Sequence, residues 1–122
     1  MTNFREFITS SEKLVLAGKS AKNNEELVSQ IEPTEDVFHT ESPGSPFVNI
    51  KSKKTNKQDR HEAAVFCAAH SKIFRDAPGD VSVHHFKGSD ITKSKMMKLG
   101  TFGVKKFKTI KVKKEDILKF KQ

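Results

Sequence analysis

The sequence predicts an α+β domain: a mixed, largely antiparallel β-sheet with two main helices packed on it. Three observations carry this reading. Short apolar runs with a two-residue period recur in 3–18, 36–51, 81–86 and 101–114, the spacing of half-buried strands. Two intervening segments, beginning near residues 23 and 59, place apolar residues three and four apart, as one face of a helix does. The chain has 122 residues, enough for one core and too few for two, so 1–122 is read as a single domain.

The elements follow in order. "NFREFITSS" and "EKLVLAG" read as two strands around a "TSSE" turn, the second ending at Gly18. Asn23 or Asn24 then caps a short helix, with Glu25 and Glu26 in its first turn and Leu27, Val28 and Ile31 as its buried stripe. Pro33 stops it. Val37 and Phe38 belong to a third strand, Pro43-Gly44 to a turn, and Pro46 to Lys51 to a fourth strand with Phe47 facing away from Val48 and Ile50.

After the basic loop "KSKKTNKQD", Asp59 and Glu62 suggest an acidic form of the capping box. The helix they open runs through "RHEAAVFCAAHSKIFRD", and its four alanines imply close packing on a sheet. "VSVHHF" is a strand with Val81, Val83 and His85 on one face and His84 and Phe86 on the other. "KGSDITKSKMMKLG" is irregular, "TFGVKKFKTIKVKK" reads as a final hairpin with Ile110 and Val112 inward, and "EDILKF" as a short terminal helix or tail.

Charge is placed unevenly. Residues 1–50 hold four Lys or Arg against eight Asp or Glu, whereas residues 51–122 hold nineteen against seven. Such a basic second half suits a polyanion, above all nucleic acid. The competing reading is that the lysines only keep a small domain soluble. No apolar run is long enough to span a bilayer and the N-terminus lacks a signal pattern, so a cytoplasmic protein without a membrane partner is expected. The single Cys excludes an internal disulfide.

Catalytic and metal constellations are weak. Cys67 and His70 lie three apart on a helix, but Cys67 sits on the apolar stripe, where a thiol behaves as a small hydrophobe. His84 and His85 must point to opposite faces of their strand, and His39 with Glu41 lacks a third ligand nearby. Glu35, Asp36 and Glu41 read as solvated acids around a turn, and no Gly-rich phosphate loop occurs. No catalytic residue, metal or cofactor is expected.

The nucleic-acid candidates are more coherent. Lys19 with Asn23 and Asn24 marks a helix N-terminus, whose N–H groups and dipole favour phosphate. Gly44 and Ser45 offer a second close backbone approach, and His39 can stack on a base or donate to phosphate. Lys51, Lys53, Lys54, Arg60, Lys72, Lys93 and Lys95 add charge.

Four blocks then resemble the NFACT RNA-binding domain family. "FITSSEKLVLAGKSAKNNEEL" is similar to its opening, where a strand closes on glycine and leads into a run matched here by Gly18 to Leu27. Asp36, Phe38, His39, Gly44 and Ser45 match its second block, and Glu62, Ala63, Ala64, Ala68, Ala69, Ser71 and Lys72 its helix. Gly103, Thr109, Ile110 and Val112 fall on its closing strands, while Pro46 stands where the family often has His or Ser. The resemblance implies RNA binding; large members of the family act on stalled ribosomal large subunits and recruit tRNA. The chain is therefore expected to be a free-standing, non-enzymatic RNA-binding module for tRNA or ribosomal RNA, linked to translation or ribosome quality control. Two alternatives stand beside it: an accessory or catalytic component of tRNA modification using His39 or Cys67, and a protein-interaction domain.

Overall fold

A computed structural model describes residues 3–122. The elements are β1 (Arg5–Ile8), β2 (Leu14–Ala17), α1 (Ala21–Ser29), β3 (Asp36–Thr40), β4 (Val48–Ile50), α2 (Lys57–Ala69), α3 (Lys72–Asp76), β5 (Val81–Lys87), β6 (Ile91–Thr92), β7 (Gly103–Val104), β8 (Lys108–Val112) and α4 (Lys114–Phe120). Six strands form one sheet in the order β1-β2-β4-β3-β5-β8, and β6 pairs with β7 in a separate ribbon. Every pairing is antiparallel. The α+β architecture is thus the one the sequence predicts. Strands β1 and β8 are the edges, and β8 carries exposed Lys108 and Lys111.

Two-residue alternation gives the sheet two apolar faces. Val15, Phe38, Val48, Ile50 and Val83 pack with the alanines and Phe66 of α2 and with Ile117 of α4. Ala63, Ala64 and Ala68 are fully buried there, and their small side chains let the helix backbone lie close to the sheet. Leu16, Val37, Phe47 and Phe86 point the other way, toward Leu27 of α1 and toward Ile91, Phe102 and Val104. The opposition of Phe47 to Val48 and Ile50 therefore holds.

The helix boundaries correct the sequence reading. Ser20, not Asn23 or Asn24, caps α1, its Oγ accepting from the Asn23 N–H at 3.1 Å. Ser and Asn are near-equal caps, and here both asparagines are needed elsewhere, as described below. Glu25 and Glu26 consequently fall beyond the first turn. Helix α2 begins earlier, with Asn56 as cap in a reciprocal box with Asp59. Glu62 instead accepts from the Ser10 N–H at 2.8 Å and Oγ–H at 2.6 Å, tying α2 to the first hairpin.

The long helix also breaks at His70, and Ser71 caps a separate α3. Ile73 is 38% exposed as a result. The final hairpin is absent: Gly103–Val104 pairs with Ile91–Thr92, whereas β8 pairs with β5. A Cβ at Gly103 would lie 2.4 Å from Thr92 Oγ1, so the ribbon closes around a residue without one. The terminal segment is a helix, α4, with Ile117 fully buried. No helix among the described residues is long and apolar enough to cross a membrane.

Candidate nucleic-acid interface

A cleft of about 670 Å³ opens between the start of α1, the β3–β4 turn and residues 99–104. Its first side depends on Gly18, which follows β2 and stands two residues before the Ser20–Ala21 helix start. A Cβ there would fall 1.9 Å from Asn24 Oδ1, so only glycine lets α1 start this close to the sheet. Asn24 Oδ1 accepts from the Phe47 N–H at 3.2 Å, and Asn23 Oδ1 from the Lys19 N–H at 2.8 Å. Both asparagines are buried. They hold Lys19 and the helix start in place.

The second side is the β3–β4 turn. Ser45 is buried, its Oγ accepting from the Thr40 N–H at 3.0 Å and donating to Pro46 O at 3.3 Å. Gly44 has φ of +87°, with the Lys72 side chain packed over it and the Lys72 N–H donating to its carbonyl at 2.9 Å. The left-handed backbone and the close lysine both disfavour a side chain at that position. His39 Nδ1–H donates to Thr40 O at 2.8 Å, and the ring lies tilted on Phe47 with centroids 4.5 Å apart. Burial is the main force lowering the His39 pKa, so the imidazole stays neutral at neutral pH.

Strand pairing brings His84 opposite His39. The His84 ring stacks on exposed Phe107 at 3.8 Å, and its Nε2 is 3.7 Å from Glu41 Oε2. His70 also lines the cleft, its pKa lowered by burial and then by the charges of Arg5 and Lys121. Arg5, Lys19 and Arg75 supply positive charge, with Arg5 anchored on Gly18 O at 2.9 Å and Arg75 Nε paired with Asp76 Oδ1 at 3.0 Å on the exposed side.

The third side is a wall fastened to α1. Lys93 Nζ contacts Glu25 Oε2 at 2.6 Å, donates to Lys98 O and Thr101 O at 2.7 Å each, and lies 4.6 Å over the Phe102 ring. The Gly100 N–H donates to the same Glu25 oxygen at 2.7 Å.

Residues 3–106 match the family described as the NFACT protein RNA binding domain. The chain belongs to this family. Among curated proteins it is similar to the archaeal Rqc2 homolog aRqcH of Methanocaldococcus jannaschii, 30% identical over 99 residues. That match covers 75% of this chain and 15% of the relative, so the chain spans a small part of the relative's length. Among solved structures it resembles the C-terminal part of the fibronectin/fibrinogen-binding protein from Streptococcus suis, with a TM-score of 0.85 and 22% identity. The alignment covers 98% of this chain and 49% of that one and shows a shared fold.

Within this NFACT domain the predicted residues separate into groups. Lys19, Asn24, His39, Gly44 and Ser45 line the cleft together, with Asn23 behind Lys19 and Lys72 beside Gly44. Lys51, Lys53, Lys54, Arg60 and Lys95 do not line it. Lys51 Nζ is paired to Glu35 at 2.7 Å, and Arg60 donates to Thr55 O at 2.8 Å. Lys53, Lys54 and Lys95 are exposed on loops. Lys93 is engaged in holding the wall.

Arg5, His70, Arg75, His84, Leu99 and Phe102 also line the cleft, although the sequence did not single them out for it. The β1–β2 register sets Arg5 opposite Ala17, next to Gly18. The antiparallel pairing of β3 with β5 sets His39 opposite His84, a neighbourhood that no local pattern in the sequence announces.

Other titratable groups are structural. Cys67 is fully buried with Sγ 3.7 Å from Pro46 O, and burial pushes its thiol up to about 12; it supplies no thiolate near neutral pH. His85 turns to the other face, as its strand position requires, and its Nε2–H donates to Asp36 Oδ1 at 2.6 Å. Asp36, far from being a solvated acid, is 1% exposed and also accepts from Lys87 Nζ at 2.8 Å and Thr55 Oγ1 at 2.6 Å. Glu35 is likewise buried.

Proposed function

We propose that this domain binds structured RNA, tRNA or ribosomal RNA, through the cleft and its rim, and that it serves ribosome quality control, with the large ribosomal subunit as a partner. The observation that carries the reading is the convergence of Arg5, Lys19 and Arg75 on one cleft in a chain of the NFACT RNA-binding family. The Rqc2 homology supports the pathway. Lys19 and Arg75 meet phosphate at the rim, with Lys72 beside them. Exposed Lys53, Lys54 and Lys95 add long-range attraction. Asn23, Asn24, Ser45, Lys51, Arg60 and Lys93 support these contacts from within the fold.

Titrating labelled tRNA and ribosomal RNA fragments at several salt concentrations tests this. Lys19→Glu with Arg75→Glu weakens binding strongly and lowers the salt slope by about one for each phosphate no longer neutralised. Lys53→Glu with Lys54→Glu weakens it less. Equal effects of the two pairs would remove the cleft from the interface, and binding insensitive to salt would remove RNA as the ligand.

A further inference from the structure

We infer that the cleft takes one unpaired nucleotide of the RNA, base inward and phosphate at the rim, and so selects loops and single strands over duplex. The inference rests on the RNA-binding reading above and concerns what part of the RNA enters. Size is the first argument. The cleft holds about 670 Å³, within the ~300–1,000 Å³ typical of pockets that enclose a small ligand. A duplex is recognised differently, by contacts spread along a wide, shallow groove.

The lining is the second argument. His84 is backed by Phe107 at 3.8 Å, His39 by Phe47 at 4.5 Å, and Phe102 meets Phe47 edge-on at 5.2 Å. Leu99, 59% exposed, stands at the wall. Flat rings and an uncovered aliphatic side chain suit the face of an unstacked base.

The distribution of charge is the third. Arg5, Lys19 and Arg75 are the permanent cations of the lining, and Glu41 is its one acid among the described residues. Burial keeps His39 and His70 from charging readily. Aromatic rings flanked by cationic side chains match the two ends of a nucleotide. The wall that completes the pocket is held by the Glu25 contacts, so the enclosure exists before the RNA arrives.

The test compares three labelled RNAs of equal length and charge: a blunt duplex, a hairpin with an unpaired loop, and a single strand. Nucleoside monophosphates serve as competitors. The loop and the single strand are expected to bind about tenfold tighter than the duplex, within the span of one base–ring stack. A fluorescent adenine analogue in the loop is expected to change its emission on binding.

His84→Ala removes a ring from the lining. Leu99→Ala changes an exposed residue and leaves the fold intact. Each should lower the loop preference while duplex affinity stays as it was. Equal binding of loop and duplex with a steep salt slope would overturn this inference and leave the RNA-binding reading standing. Monophosphates that compete at the loop RNA's own concentration would also overturn it, by making the ligand a free nucleotide. No binding of any RNA would sink both readings.

Discussion

Glu25 on α1 and Lys93, 68 positions later, meet at 2.6 Å and fasten one wall of the cleft to the helix whose start forms the adjoining side. Glu25 Oε2 also receives the Gly100 N–H at 2.7 Å, and Gly100, at φ of +78°, sits so close to Ala21 that an added Cβ would approach it to 2.8 Å. A lysine in a basic segment thus acts as a tether, not as a free charge.

Glu25→Gln should loosen that wall without unfolding the domain. Amides of residues 98–102 are expected to exchange faster, with those of β3 and β5 unchanged, and loop RNA is expected to bind more weakly. The Glu25 pKa is lowered by its bond to Lys93 first and to Gly100 next. The tether is therefore intact above the ordinary glutamate range and is lost as pH falls through the lowered value. Hydrogen exchange along an acid series checks this; Gly100 protection that outlasts protonation of the carboxylate would refute it.

Asp36 should govern stability in acid. Burial works against its charge, but bonds from His85, Lys87 and Thr55 outweigh that and hold its carboxyl far below the usual aspartate range. Its contribution is present above the ordinary aspartate pKa and disappears as pH falls through the lowered native value. Asp36→Asn should cost about 2 kcal/mol near neutral pH, the scale of hydrogen bonds to a charged group. Its acid unfolding curve should also be flatter than the parent's. Parallel acid limbs in the two proteins would assign the acid sensitivity elsewhere.

His39 should have a titration signature of opposite origin. Burial lowers its pKa, so the folded state resists protonation. Stability is unaffected above the ordinary histidine value of about 6.5 and falls as pH drops from there through the lowered native value. His39→Ala should cost about 1–2 kcal/mol through the missing bond to Thr40 and the missing packing on Phe47. It should also reduce the drop in melting temperature between about pH 7 and pH 5, with His70 supplying what is left. A drop of unchanged size in the variant would show that His39 is not the group responsible.

Cys67 should be inert. Its side chain is fully buried and its thiol is raised to about 12. Cys67→Ala should cost about 1 kcal/mol, as a small core deletion does, and leave RNA affinity as it was. Thiol reagents should label the native protein only at the rate of unfolding; rapid labelling would show an open path to the sulfur.

The fold was readable because alternation and helical spacing are local signals. Val15, Leu16 and Ala17 announce a strand buried on both sides, and the alanines of α2 a helix lying close to a sheet. Cap positions were less readable because Ser20, Asn23 and Asn24 satisfy the same local rule. The bonds that Asn23 accepts from Lys19 and Asn24 from Phe47 decide among them, and the second is set by the tertiary fold. The closing segment misled for a related reason. Strand partners depend on which face each residue must cover, and β7 covers α1's side while β8 extends the main sheet. Lys19, His39 and Gly44 stand out along the chain because their neighbours are unusual. Arg75 and His84 join them only through the fold.

The two edges of the sheet have a consequence for self-association. Among the described residues β8 is an edge strand of the sheet, and its exposed side chains include Lys108 and Lys111, with Lys113 just beyond. A second molecule adding its own β8 would bring those lysines together, and like-charge repulsion opposes the pairing. β1, at the opposite edge, is four residues long and carries Arg5 and Glu6. The barrier to edge-to-edge growth is thus electrostatic at one side and geometric at the other. Acetylating the β8 lysines would lower only the first, leaving a domain that folds as before and aggregates from one edge.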